Sequence, residues 1–449
     1  MFTSSRVTLM VLCGLLAGSG ESLLAQTAEL DALIAEAETN WPALAESQAL
    51  RDAAVAQQLE AQRAYRPSVN VGGTYTLAAG GRTIALPLGD LLNPAYGALN
   101  QLTQTDAFPA LENREENFLP NNFYDARVRV VQPLFRPEIQ LSRKLAAAGI
   151  DAQTAGIEVV RTELRASVRT AYYQIASAQA AVDIYESADT LVTEAYRTTS
   201  SLVRNGAALP LARERITAER AEVRANRAAA IATLANARAQ LNYLLGHELD
   251  APLNLASASE QLVDVPASDN DNLSPAGRPE LDQLAAGVRV AELNGELEGY
   301  FRRPRLGLQL DAGSQDFDFG LQPYALAGLS LDIPLYDGGR HSARTQRLTA
   351  ERLAAEARLE TAERGFALQL EVARNDLAAA RARLAAYAPA VAAAERAYRD
   401  AEKLYRAGET GYVELLDAQS QLTTTRLRQS LAAYDTSLRY VDLLRAAGH

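Results

Sequence analysis

The strongest constraint on this chain is that it repeats itself. Pro42 and Pro67 stand 25 residues apart, and so do Pro279 and Pro304. Pro133, in Gln132-Pro133-Leu134-Phe135, precedes Gly206 by 73 residues; Pro334, in Ile333-Pro334-Leu335-Tyr336, precedes Gly408 by 74. Matched spacings of this kind mark a tandem supersecondary unit rather than two unlike domains. Each copy reads as helix, strand, loop, strand, very long helix, tight turn and return helix. The expected division is a first repeat at 26–250, a linker at 251–277 rich in Pro, Asp, Asn and Ser, and a second repeat at 278–449.

Two strands are expected in each copy. Val69, Val71, Tyr75 and Leu77 alternate with Ser68, Asn70, Thr74 and Thr76, and Leu306, Leu308, Leu310 and Ala312 alternate with Arg305, Gly307, Gln309 and Asp311. The return strands follow suit, with Ala126, Val128 and Val130 opposing Asp125, Arg127 and Arg129, and Leu329, Leu331 and Ile333 opposing Ser330 and Asp332. Roughly ten residues is the length a tilted transmembrane strand needs, but a small soluble sheet alternates in the same way. Four strands cannot close a membrane barrel, whose smallest examples have about eight, so a barrel would have to be shared between subunits. The loops differ: Ala78 to Phe123 is long, and Gly313 to Pro323 is short. Gly80-Gly81-Arg82-Thr83 has a passing likeness to a phosphate loop but leads into no lysine-bearing helix, and reads as turn chemistry.

From about Glu138 to Arg204 and from about Arg340 to Arg406 the chain is rich in Ala, Leu, Arg, Glu and Gln, all strong helix formers. Helices of that length extend roughly 100 Å. Leu370, Leu377, Leu384, Val391, Tyr398 and Tyr405 recur every seven residues, with mostly small companions at Ala373, Ala380, Tyr387, Ala394 and Ala401, the pattern of a coiled-coil seam. The first copy keeps the register through Val168, Ile175, Val182, Tyr196 and Val203, broken by Asp189. Pro389 removes one backbone bond and predicts a bend. Gly206 and Gly408 mark the turns, and Leu427, Leu431, Tyr434, Leu438 and Val441 predict one apolar face on the last return helix.

The ends and composition narrow the function. Arg6, the apolar run Val7 to Ala17, and Leu24-Ala25-Gln26 predict a secretory signal peptide over 1–25. Cys13, the only cysteine, lies inside that run behind Leu12, where lipidation would want a small residue, so a non-lipidated, cysteine-free mature chain is expected. The formal charge of −11 argues against a nucleic-acid partner. Three histidines and two methionines show no ligand spacing, so no metal or cofactor is expected. Paired carboxylates occur without a Ser/His/Asp or Cys/His set beside them, which argues against an enzyme.

With the signal peptide and the doubled strand-hairpin-plus-helical-hairpin unit, the segment Leu404-Tyr405-Arg406-Ala407-Gly408 through Val413-Glu414-Leu415-Leu416-Asp417-Ala418-Gln419 resembles the TolC-type outer-membrane efflux channel family. The resemblance covers nearly all of the mature chain. It implies a mainly α-helical fold with a β-barrel part, in which a homotrimer shares a 12-stranded barrel in outer-membrane lipid and an α-helical tunnel across the periplasm. It further implies a passive exit duct for a tripartite efflux or type I secretion system, partnered by a periplasmic adaptor and an inner-membrane pump. Carried onto this sequence, the family's tip motif places pore-constriction carboxylates at Glu414 and Asp417, three apart and therefore on one helix face. Adaptor-contacting turns fall at Gly206, Pro210, Gly408 and Thr410. Where the pattern carries a basic residue two positions after the tip glycine this chain has Thr410, and where the first copy carries an acidic partner it has Ala212, so no salt-bridge lock is expected between them. Arg213, Glu214 and Arg215 are the available substitutes. The alternative is a periplasmic structural coiled coil or adaptor without a pore, which would share the hairpins but would not need four alternating strands.

Overall fold

The computed structural model describes residues 28–253, 255, 273–317 and 319–449. The expected signal peptide at 1–25 and most of the 251–277 linker lie outside the described residues. By its internal contacts the chain divides into a helical unit, built from the segment up to Val55, Ala147–Glu292 and Ala350–His449, and a strand-bearing unit, Ala56–Ala146 and Leu293–Thr349.

The duplication is visible element by element. A helix at 28–40 (α1) precedes α2 (Pro42–Arg63), β1 (Ser68–Thr76), β4 (Phe123–Phe135), α4 (Pro137–Arg204) and α5 (Pro210–Leu245). The second copy has α6 (Pro279–Gly299), β5 (Arg305–Phe317), β6 (Pro323–Asp332), α7 (Arg340–Ala407) and α8 (Tyr412–Ala447). The long helices α4 and α7 each run 68 residues, and the return helices α5 and α8 each run 36. Their ends match as well. The long helices stop at Gly206 (φ 66°) and Gly408 (φ 75°), the return helices at Gly246 (φ 75°) and Gly448 (φ 93°). At each stop the amide one residue beyond the glycine returns to the carbonyl five back: Ala207 to Leu202, Glu409 to Leu404, His247 to Asn242 and His449 to Leu444, at 2.8–2.9 Å. This closure satisfies carbonyls the helix end would otherwise leave free, and it needs the left-handed backbone that glycine adopts without strain.

In the helical unit the seams follow the heptads with local departures. Val168, Ala171, Ile175 and Val182 of α4 pack with Leu234, Leu241 and Leu245 of α5, while Leu370, Ala373 and Leu377 of α7 pack with Leu443, Ala446 and Ala447 of α8. At Asp189, where the first seam breaks, Ala188 and Val192 take the buried places, and the carboxylate accepts from Arg224 Nε at 3.2 Å. Helix α7 continues through Pro389, and the seam loosens beside it, leaving Leu384 and Val391 half-buried. The expected α8 face forms, with Leu427, Leu431, Leu438 and Val441 lining one groove and Tyr434 clustered with Leu438 and Val441, but it is only partly covered. Tyr434 and Val441 are buried, but Leu431 is 47% exposed and Leu427 and Leu438 are half-buried. Between Leu427 and Leu438 the buried positions are Ala432, Ala433, Tyr434, Thr436 and Ser437, mostly small side chains that let helices approach closely.

The strand-bearing unit holds one antiparallel sheet in the order β1-β4-β5-β6. Its register brings Val71, Val128, Ala312 and Ala325 into one row and Val69, Val130, Leu310 and Ala327 into the next. No described element covers this face: Val71 is 84% exposed, and Leu329 and Leu331 are exposed beside it. Tyr75 and Tyr124 stack with Phe319 at ring separations of 5.4 and 5.9 Å at one end of the strands. The opposite face carries the charges, already paired. Arg129 grips Asp311 through two bonds of 2.8 and 2.9 Å, Arg127 meets Asp125 at 2.9 Å, and Tyr324 donates to Asp125 at 2.9 Å.

The long β1–β4 connection is more ordered than expected. It contains a two-stranded ribbon, β2 (Thr83–Leu86) with β3 (Arg114–Asn117), and a 16-residue helix α3 (Leu88–Thr103) between them. Gly80 and Gly81 both have positive φ, which agrees with reading them as a turn.

Candidate constriction and tip turns

The two helical turns come together within the helical unit. Tyr405, on the last turn of α7, is buried, and its hydroxyl lies 3.1 Å from the hydroxyl of Thr199 on α4. Tyr412, seven residues later at the start of α8, packs edge-on to Tyr405 at 5.9 Å. Around this pair gather Ala188, Val192, Ile216, Val223 and Leu415, joining α4, α5, α7 and α8 in one apolar knot. The Tyr412 hydroxyl is buried and has no hydrogen-bond partner among the described residues. Burial pushes it up, and Glu219 and Tyr405 nearby add to the effect. Glu219 itself is pushed up by burial and by Glu222.

Beneath the turns lies a cavity of about 440 Å³, lined among others by Leu209, Leu211, Gly408, Thr410, Tyr412 and Val413. Pro210 occupies the first position of α5, where its missing N–H costs nothing. Leu209, Leu211 and Val413 are exposed, so the outer surface of the turns is apolar. Gly206, Pro210 and Gly408 are exposed and Thr410 half-buried. Ala212 packs into the tyrosine knot, and Arg213 pairs with its neighbour Glu214 at 3.1 Å, so that pair forms no cross-link between the turns.

Glu414 stands in the first turn of α8, where the helix dipole favours a carboxylate. It curls back so far that a Cβ on Gly411 would sit 2.8 Å from its Oε2. Asp417 lies one turn on. Both are exposed, on the side of α8 away from buried Tyr412, Leu415 and Gln419, and neither forms an ion pair with a described residue. The single chain thus leaves two carboxylates facing out on one helix side. Sequence reasoning placed Tyr405 in the seam but missed Thr199, Tyr412 and Glu219; the signal for Tyr412 was its heptad distance from Tyr405. Among the described residues no group of His, Cys, Asp and Glu could hold a metal ion.

Residues 272–449 match the family model described as outer membrane efflux protein. The match spans the second repeat of the chain. Its fold is found in solved outer-membrane channels. OprN aligns with TM-score 0.76 at 20% identity over 93% of this chain and 89% of its own. VceC of Vibrio cholerae aligns with TM-score 0.73 at 17% identity over 94% and 96%. MtrE of Neisseria gonorrhoeae, in its open state, aligns with TM-score 0.74 at 17% identity over 93% and 88%. At these identities the likeness concerns the fold. No protein of curated function matches the chain in sequence. The outer membrane efflux proteins are a channel family, not a family of enzymes.

Proposed function

We propose that the chain is the exit duct of a tripartite efflux or type I secretion system, a homotrimer in the outer membrane that reaches into the periplasm and passes solutes without doing chemistry on them. The observation that carries this reading is the inverted sheet: its apolar face is open and its charged groups are already paired on the other side. A soluble sheet does the reverse, whereas a membrane barrel shows apolar residues to lipid and polar ones to its lumen. Strands β1 and β6 form the two edges and run in opposite directions, so β6 of one copy can pair antiparallel with β1 of the next. Three copies would give the twelve-stranded closure that removes every edge from lipid. The division at 26–250, 251–277 and 278–449 is retained as part of this proposal.

In this reading the turns at Gly206, Pro210, Gly408 and Thr410, with the exposed leucines beside them, meet a periplasmic adaptor that couples the duct to an inner-membrane pump. Glu414 and Asp417, repeated by threefold symmetry, form two stacked carboxylate rings that favour cations in a narrow pore. Planar-bilayer recordings test this. Wild type should give discrete conductance steps with cation preference, and Glu414→Ala with Asp417→Ala should weaken that preference. A pore whose selectivity ignores both substitutions removes the assigned constriction, and no pore from folded protein removes the duct.

A further inference from the structure

The β1–β4 insertion presents an apolar helix face that the duct alone does not use. On α3, Leu88, Leu91, Leu92, Leu99 and Leu102 fall on one stripe at spacings of three, four and seven, and all five are exposed, Leu91 by 69% and Leu102 by 81%. The helix is held rigidly from a separate face. Asn93 exchanges two bonds with the backbone of Leu111 at 2.9 and 2.7 Å, and Asn100 exchanges two with Phe108 at 2.8 and 3.0 Å. Asn113 accepts from the amides of Gly89 and Asp90 at 3.0 and 3.2 Å. Gly89 permits this clamp, since a Cβ there would lie 2.4 Å from the Leu111 carbonyl oxygen. The fold therefore fixes the helix with its leucines outward.

We propose that α3 packs against the α3 helices of the two neighbouring copies, forming a leucine-lined closure over the outer mouth of the barrel. The inference rests on the trimeric duct. The insertion leaves the sheet at the end of β1 away from the helical connections, and β1 is the edge strand that would meet the next copy, so the occupant named is continuous with that interface. The stripe follows a heptad, as self-associating helices do. The dimensions agree: twelve strands at 4.7–4.9 Å, tilted by 35–45°, enclose a mouth about 24 Å across, and three helices 8–10 Å apart make a bundle about 20 Å wide. Charge disfavours the membrane surface as occupant. Helices that lie on anionic lipid carry Lys and Arg on their polar face. Helix α3 has none, and residues 78–123 hold five acidic side chains against two arginines.

The test uses full-length protein purified in detergent, with Leu91→Cys or Leu102→Cys introduced into a Cys13→Ala background and treated with a short bis-maleimide. Closure predicts a cross-linked dimer band on a denaturing gel, lost when Leu92→Asp and Leu99→Asp are added. It also predicts that this aspartate pair raises single-channel conductance. An intact trimer that gives no cross-link, or whose residue 91 carries a fluorophore quenched by brominated lipid, overturns the closure and leaves the duct standing. A monomeric native mass overturns the duct, and the closure with it.

Discussion

Removing the Glu280 carboxylate should change how the helical unit responds to acid. Glu280, in the first turn of α6, accepts from Arg278 Nε and Nη2 at 3.2 and 2.8 Å, while Arg445 Nη2 reaches it at 2.8 Å. Arg278 is itself buried, stacked 3.7 Å over the Phe366 ring and bonded to Gln369, so its charge has little water to fall back on. Burial pushes the Glu280 carboxyl up, but the bonds from Arg278, from its own backbone amide and from Arg445 prevail and hold it at about 2. A folded-state value below the unfolded one means stability that is complete above the unfolded value and lost as pH falls through the folded one. The shift corresponds to about 3 kcal/mol near neutral pH, of which roughly half is gone by about pH 3. Glu280→Gln should therefore lower stability near pH 7 by about that amount and leave a flatter pH profile. Urea unfolding followed by helical circular dichroism at neutral and acidic pH reads both. Equal losses in wild type and variant on going to acid would refute the assignment of Glu280 as the responsible group.

Further substitutions probe other parts of the account. Leu377→Ala empties a fully buried seam position between α7 and α8 and should cost about 2–5 kcal/mol in the same urea assay. Tyr405→Phe removes only the hydroxyl contact with Thr199 and should cost about 1 kcal/mol, with helical content unchanged. Gly408→Val forces a branched residue into a left-handed turn at a cost of about 1–2 kcal/mol, and should increase protease cleavage at that turn ahead of global unfolding.

The repeat, the four strands and the long helices were legible because each rests on a local period, two in the strands and seven in the helices, reinforced by Pro and Gly at matched places. Alternation did not say which sheet face would be covered; the structure's exposed Val71 and paired Asp311 do. The apolar α8 face was legible from its leucine spacing, but that spacing did not show that Leu431 would stay exposed in one chain. Packing against more than one neighbour favours Ala432, Ala433, Thr436 and Ser437, and small residues carry little hydrophobic signal in sequence. Helix α3 was missed because Gly89, Pro94 and Gly97 punctuate it, although its leucine spacing was there to be found. The site was legible only through the family motif. Glu414 and Asp417 are surface carboxylates in one chain, and what would make them a constriction is symmetry that a single sequence does not contain.

Whether this sheet faces lipid is read most directly by lipid quenching of tryptophans placed on its two faces in the reconstituted protein, with Trp41, the only native tryptophan, replaced by Phe. Val71→Trp should be strongly quenched by brominated acyl chains and Asn70→Trp, on the charged face, should not. Equal protection at both positions, or quenching at position 70 alone, would contradict a membrane barrel built from this sheet.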